Sequence, residues 1–421
     1  MHTLISSSLR FGFVLASLVL VPVAASAQSV SPAAAAKPLY TISFIPTFGG
    51  TEDRSFGVND SGQVTGISYI QGDTAYHAFL STLTGVTPTE RATSDMGTLG
   101  GDYARGFGIN ASGQVAGDSI ITKDIGDHAP LYDHAFLSGP TSLEPGYVGQ
   151  PGRKKDLGTL GGKEGAALGL NAAAQVTGYA SVASGQSHAF LSDPNGGALH
   201  DLGTLGGKQS YGAGVNASGQ VTGDSLTASG ADHAFFTGPN GSGMRDLGTL
   251  GGTTSVGRGV NVFGQVAGYS TLASGANHAF LSDANGGALH DLGTFGGTTS
   301  IGYGVNDYGQ AVGYALTAGS KPHAFVFSNG AMTDLNSLIG GNYFATFILE
   351  GATSISNTGY IAGYGRTNTD HILAFVLTPS GGLQPPINPV PEASTTVSLG
   401  VLLMLGLGGV LVARKNAARA A

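Results

Sequence analysis

Four short runs decide how this chain is read: Asp201-Leu-Gly-Thr-Leu-Gly-Gly207, Gly214-Val-Asn-Ala-Ser-Gly-Gln-Val-Thr-Gly223, His233-Ala-Phe-Phe236 and Asp246-Leu-Gly-Thr-Leu-Gly-Gly252. The first and last are the same motif, and Asp201 and Asp246 stand 45 residues apart. The same step separates Asp156 from Asp201 and Asp246 from Asp291. A fixed period of this length belongs to solenoids and propellers, so it governs every later inference.

Working outward, the Asn module recurs at Gly57–Gly66, Gly108–Gly117, Gly169–Gly178, Gly259–Gly268 and Gly304–Gly313, with a degenerate copy at Ser354–Gly363. His-Ala-Phe recurs at His77, His134, His188, His233, His278 and His323, and Leu373-Ala374-Phe375 follows Ile372 where His would stand. Within one unit four strands are expected: Tyr211–Val215, Gln220–Ser225, His233–Thr237 and Met244–Thr249. Asn216-Ala-Ser-Gly219 is a hairpin turn in which Asn accepts from its own backbone and Gly takes positive φ. Short strands joined this way predict four-stranded antiparallel sheets. In Ile301-Gly-Tyr-Gly-Val305 large residues alternate with glycine, which suits a sheet covered on both faces.

The fold class expected is therefore all-β, a seven-bladed β-propeller over residues 39–378. The last unit lacks a fourth strand, and Tyr40–Ile45 is a strand without a unit. Pairing these two closes the ring and covers both edges. The modules resemble the HAF repeats of bacterial extracellular proteins. That resemblance implies a secreted surface protein and brings no established chemistry with it.

Composition agrees with a repeat of small residues: 71 of 421 residues are Gly and 10% are charged, against a usual share of about 25%. There is no Cys, which removes disulfides, thiol catalysis and thiolate metal sites. Both ends read as targeting segments. Arg10, the apolar run Phe11–Val23 and Ala25-Ser-Ala27 form a signal peptide over residues 1–27, followed by a linker at 28–38. A Pro/Gly-rich linker at 379–390 leads to Pro391-Glu392, an apolar run Val397–Val412 forming a hydrophobic helix, and basic Arg414 and Lys415.

This tail, residues 391–421, is similar to the PEP-CTERM sorting signal, with Ala393 where a second Pro is usual. The similarity implies a Gram-negative source, an exosortase-type sorting protease as partner, and membrane attachment through the C-terminal segment before processing. Without its two ends the chain keeps 14 basic and 25 acidic residues, a net −11 that excludes nucleic acid as a partner class.

Candidate sites are few. The repeated His and the repeated Asp156, Asp201, Asp246 and Asp291 read as scaffold groups rather than a metal or proton-transfer ring, each His bonding a neighbouring Asp, Ser, Thr or backbone carbonyl once per blade. The unit from Asp95 to Asp156 is 61 residues long, and its surplus lies in 120–133 and 142–155. Those loops carry the binding candidates Lys123, Asp127, His128, Tyr132, Asp133, Glu144 and Tyr147. Aromatic rings beside carboxylates suit a sugar. Asp124, Asp127 and Asp133 form a weak candidate Ca2+ set, with no cofactor otherwise expected.

The chain has no Gly-x-Ser-x-Gly, His-Glu-x-x-His or phosphate-loop motif, so no catalytic residue is assigned. The expectation is a structural or adhesive protein of the envelope or biofilm matrix that binds extracellular polysaccharide or a surface protein. The alternatives are a propeller hydrolase or lyase acting on polysaccharide, and a protein-interaction hub.

Overall fold

The computed structural model describes residues 39–121 apart from 86 and 88, 132–139, 154–339 and 346–380. The segments expected to be a signal peptide, linkers, a sorting motif and a hydrophobic helix lie outside the described residues, save that Pro379 and Ser380 of the expected second linker belong to a strand. Among those described, regular structure is all β-strand except for two short 3-10 turns, Pro239–Gly241 and Leu335–Ser337.

The unit around Asp201 is one sheet. Gly206–Val215, Val221–Thr227, Asp232–Phe236 and Arg245–Asp246 pair in that order, antiparallel throughout. Asn216 Oδ1 accepts from the N–H groups of Ser218 and Gln220, both at 3.1 Å, and Gly219 turns at φ +68°. These local bonds fix the first hairpin and hence its register. Four-stranded sheets of the same order occupy 104–156, 161–201, 251–291 and 296–334.

Four more strands, Gly49–Val58, Val64–Ile70, Tyr76–Leu83 and Arg91–Asp95, form another such unit. A single parallel bridge, Glu52 to Ile372, ties it to the last unit, Phe347–Ile355, Ile361–Thr367 and Ile372–Ser380. The last unit takes its fourth strand from the beginning of the chain. Leu39–Phe44 runs antiparallel to Ile372–Ser380 with Phe44 opposite Phe375.

Two expected boundaries are corrected. The fourth strand of the repeat is not Met244–Thr249 but only Arg245–Asp246. Asp246 Oδ1 accepts from the Gly248 N–H at 2.7 Å and Gly248 adopts φ +72°, so the chain leaves the sheet there. The first strand starts earlier than Tyr211, at Gly206, because the Gly-Gly that follows Leu205 already pairs with Thr227.

The core lies between sheets. Adjacent residues of a strand point to opposite faces, so the Ala and Phe of His-Ala-Phe serve two neighbours. Ala189 and Leu191 of one sheet pack on Val221 and Phe235 of the next, and Ala234 and Phe236 of that sheet pack on Val266 and Phe280. The same contact joins Ala374 and Val376 to Val64 and Phe79. All seven of these phenylalanines, Phe79, Phe136, Phe190, Phe235, Phe280, Phe325 and Phe375, are 0% exposed, each burial contributing roughly 1.5–3 kcal/mol.

Glycine lets a first strand approach the second strand of the neighbouring sheet. A Cβ on Gly257 would stand 2.2 Å from Thr222 Oγ1 of the neighbouring sheet.

Candidate functional site: a cavity walled by first strands

Seven first strands, one per repeat unit, line a cavity of about 440 Å3. Its walls include Arg54, Phe56, Phe107, Arg258, Tyr303 and Tyr364. A second cavity of about 230 Å3 shares with it Val58, Ile109, Leu170, Val215, Val260, Val305 and Ile355. These seven aliphatic side chains therefore form the partition between the two.

Beyond the partition stand the turn asparagines. Asn59 Nδ2 donates to Asn110 O at 2.9 Å, and Asn110, Asn171, Asn216, Asn261 and Asn306 each donate onward, the last to Ser356 O at 3.2 Å. Asn357 N–H and the Thr358 hydroxyl then donate to Asp60, at 2.7 and 2.8 Å. One amide thus serves its own turn through Oδ1 and the next sheet through Nδ2.

The wall of the larger cavity carries two formal charges among the described residues, both positive. Arg54 Nε donates to Glu52 Oε1 at 2.6 Å, and its guanidinium lies 4.7 Å from the Tyr364 ring centroid. Arg258 is exposed, lies 5.9 Å from the Tyr269 ring centroid, and has no ion-pair partner among the described residues. Among the rings of this wall, Phe56 lies 5.1 Å from Phe107 and Tyr303 6.1 Å from Tyr314.

Carboxylates sit on the second strands, behind this wall. Asp118, 2% exposed, is held by Arg105 through Nε at 2.9 Å, and burial nonetheless raises its carboxyl above the ordinary range. Asp224 lacks such a partner. Burial, with the nearby Asp232 charge, pushes it up to about 7 against the opposing pull of Arg258.

Of the loop residues proposed from the sequence, Lys123, Asp127, His128, Glu144 and Tyr147 lie outside the described residues, as do Pro391 and Glu392. Tyr132 accepts from Lys163 Nζ at 3.2 Å, and Asp133 lies 3.8 Å from Arg105 Nη2. Asp124 of the Ca2+ set is also outside, and no group of three metal-ligating side chains occurs among the described residues.

The repeated His and Asp do meet. His77, His134, His188, His233, His278 and His323 place Nδ1 2.7–2.9 Å from Asp95, Asp156, Asp201, Asp246, Asp291 and Asp334. In the first five pairs the Asp also accepts from a Gly N–H two residues on, so each pair locks the end of its sheet.

Sequence reasoning missed the cavity residues, although the repeat marks several of them. The position before Gly-Val-Asn is Phe56, Phe107, Leu168, Ala213, Arg258, Tyr303 and, in the degenerate copy, Thr353. The module around that position barely changes while the position itself does.

No protein-family model and no curated protein matches this chain. Solved structures do show similarity. TolB from Acinetobacter baumannii is 12% identical with a TM-score of 0.41, the match covering 76% of this chain and 64% of TolB. The acylaminoacyl peptidase of Pyrococcus horikoshii is 7% identical with a TM-score of 0.48, covering 80% of this chain and 54% of the peptidase. AofleA from Arthrobotrys oligospora is 10% identical with a TM-score of 0.38, covering 70% and 86%.

Proposed function

We propose that the chain is a secreted or surface-held seven-bladed β-propeller, closed by its own first strand, with an adhesive or structural role in the envelope or exopolysaccharide matrix. Support for the ring comes from the asparagine bonds, which pass from sheet to sheet and return to Asp60. The packing of Ala374 and Val376 on Val64 and Phe79 supports it too. The targeting segments, with exosortase processing and a membrane-held stage, belong to the same proposal.

The observation that carries a binding role is the cavity itself. Its scaffold positions repeat while the side chains facing into it differ, as in a recognition surface on a rigid frame. The ligand class proposed is polysaccharide. Glycan arrays and matrix pull-downs with the full chain test this, with retention on cell-surface polysaccharide expected. Retention unchanged after Tyr303→Ala plus Tyr364→Ala, in a variant that keeps its β circular-dichroism spectrum, would remove the cavity from the role.

A second reading, polysaccharide hydrolysis or lysis, rests on Asp224. A carboxyl at about 7 beside Asp232 can hold a proton at neutral pH, as a general acid must. Turnover of a polysaccharide that disappears in Asp224→Asn would favour this reading over adhesion.

A further inference from the structure

The charge inside the larger cavity runs against the charge of the chain. The protein is acidic, with a formal net charge of −8, yet the only formal charges on this wall among the described residues are Arg54 and Arg258. They stand on different first strands, Gly49–Val58 and Gly251–Val260, and both reach the same cavity. Arg54 spends Nε on Glu52, at 2.6 Å. Arg258 meets no carboxylate within ion-pair distance among the described residues and lies near the Tyr269 ring. Two guanidinium groups beside aromatic rings, on the wall of one concave site, attract an anion and favour a planar, bidentate one.

The rest of the wall says what the anion is attached to. Phe56, Phe107, Tyr303 and Tyr364 offer ring faces, and the partition is aliphatic. A bare inorganic anion would leave these surfaces without a partner. A sugar ring has an apolar C–H face for them and hydroxyls for the tyrosine OH groups.

We infer that this cavity receives a hexuronate residue of an acidic polysaccharide, its carboxylate held by Arg54 and Arg258 and its ring face laid on the aromatic wall. The inference rests on the polysaccharide reading above and narrows it to acidic sugars.

Calorimetry on the full chain tests it with three probes: a hexuronate trisaccharide, the same trisaccharide with its carboxylates reduced to hydroxymethyl groups, and inorganic phosphate. The trisaccharide is expected to bind at least about tenfold more tightly than its reduced form, since a charge-assisted pair is lost. Arg258→Gln and Arg54→Gln are each expected to weaken it at least about tenfold and to weaken the reduced form far less, so that the preference for the acid is lost. Unaltered thermal midpoints of the two variants would show that folding is not what changed.

Equal binding of acid and reduced trisaccharide would overturn the acidic-sugar inference and leave a neutral-glycan site. Full affinity in both arginine variants would overturn the location. Phosphate binding as tightly as the uronate would reduce the site to a simple anion hole. Binding of no trisaccharide at all would bring down the polysaccharide reading along with the inference.

Discussion

Asp53 is the least satisfied residue of the described chain. It is 1% exposed and neither carboxylate oxygen has a hydrogen-bond partner. Burial pushes it up to about 7, the Ser68 hydroxyl opposing and the charges of Glu52 and Asp73 assisting. The folded state therefore holds a proton that the unfolded chain releases near 3.8. Stability is full below that value and is lost as pH rises towards 7, by something on the order of 4 kcal/mol. The matching positions of other sheets hold Ser210, Ser255 and Ser300, whose hydroxyls take the N–H of Ala189, Ala234 and Ala279. Urea unfolding at pH 5 and pH 8 should thus show a marked loss of midpoint in the parent and a smaller one in Asp53→Ser, where Asp224 still titrates over the same range. Equal losses would place the pH dependence elsewhere. Gly257 makes a second prediction at this scale. Its added Cβ would collide with Thr222, itself fixed by a bond to Phe235 O at 2.8 Å, so Gly257→Ala should lower stability by about 1–3 kcal/mol in the same assay.

Each sheet is an element that cannot stand alone, because its buried faces are completed by its neighbours. Phe235 fills the space over Ala189 and Leu191 of the preceding sheet. Phe235→Ala should cost about 3–5 kcal/mol, and thermal unfolding that barely moves would deny that this contact holds the sheets together. The end of each sheet depends on its Asp, and Asp246 accepts from both His233 and Gly248 N–H. Asp246→Ala should cost more than His233→Ala, by about 1 kcal/mol, since only the former also orphans the turn. Much of this was legible beforehand. The Asn turns, the hairpin order and a hydrogen-bonding scaffold role for the repeated His follow from local chemistry recurring at one period, while the choice of Asp as partner came from the fold. The short fourth strand was not legible. Leu-Gly-Thr-Leu reads as a strand, and only the positive φ of Gly248, bonded to Asp246, shows that it is a turn.

For the whole molecule the decisive contact joins the two ends of the described chain. Leu39–Phe44 lies along Ile372–Ser380, and Ile42, 4% exposed, faces Leu377. Ile42→Pro removes a ladder bond and a core side chain together. It should lower the thermal midpoint and produce higher-order species in light scattering, because a strand edge is uncovered. A monomer of unchanged midpoint would argue against the closed ring. The sequence by itself determined what short-range forces decide: strands, turns, period, and the residues that satisfy one another once per unit. Only tertiary structure decided where ligands could be met, because Arg54 and Arg258 are some two hundred residues apart in the chain and line one cavity solely through the stacking of the sheets. The long loops attracted attention as departures from the period. Much of the cavity was hidden inside the period, at a position whose identity changes while its backbone does not; its shape exists only when seven such positions converge, and Arg54, two residues before that position, supplies part of its charge.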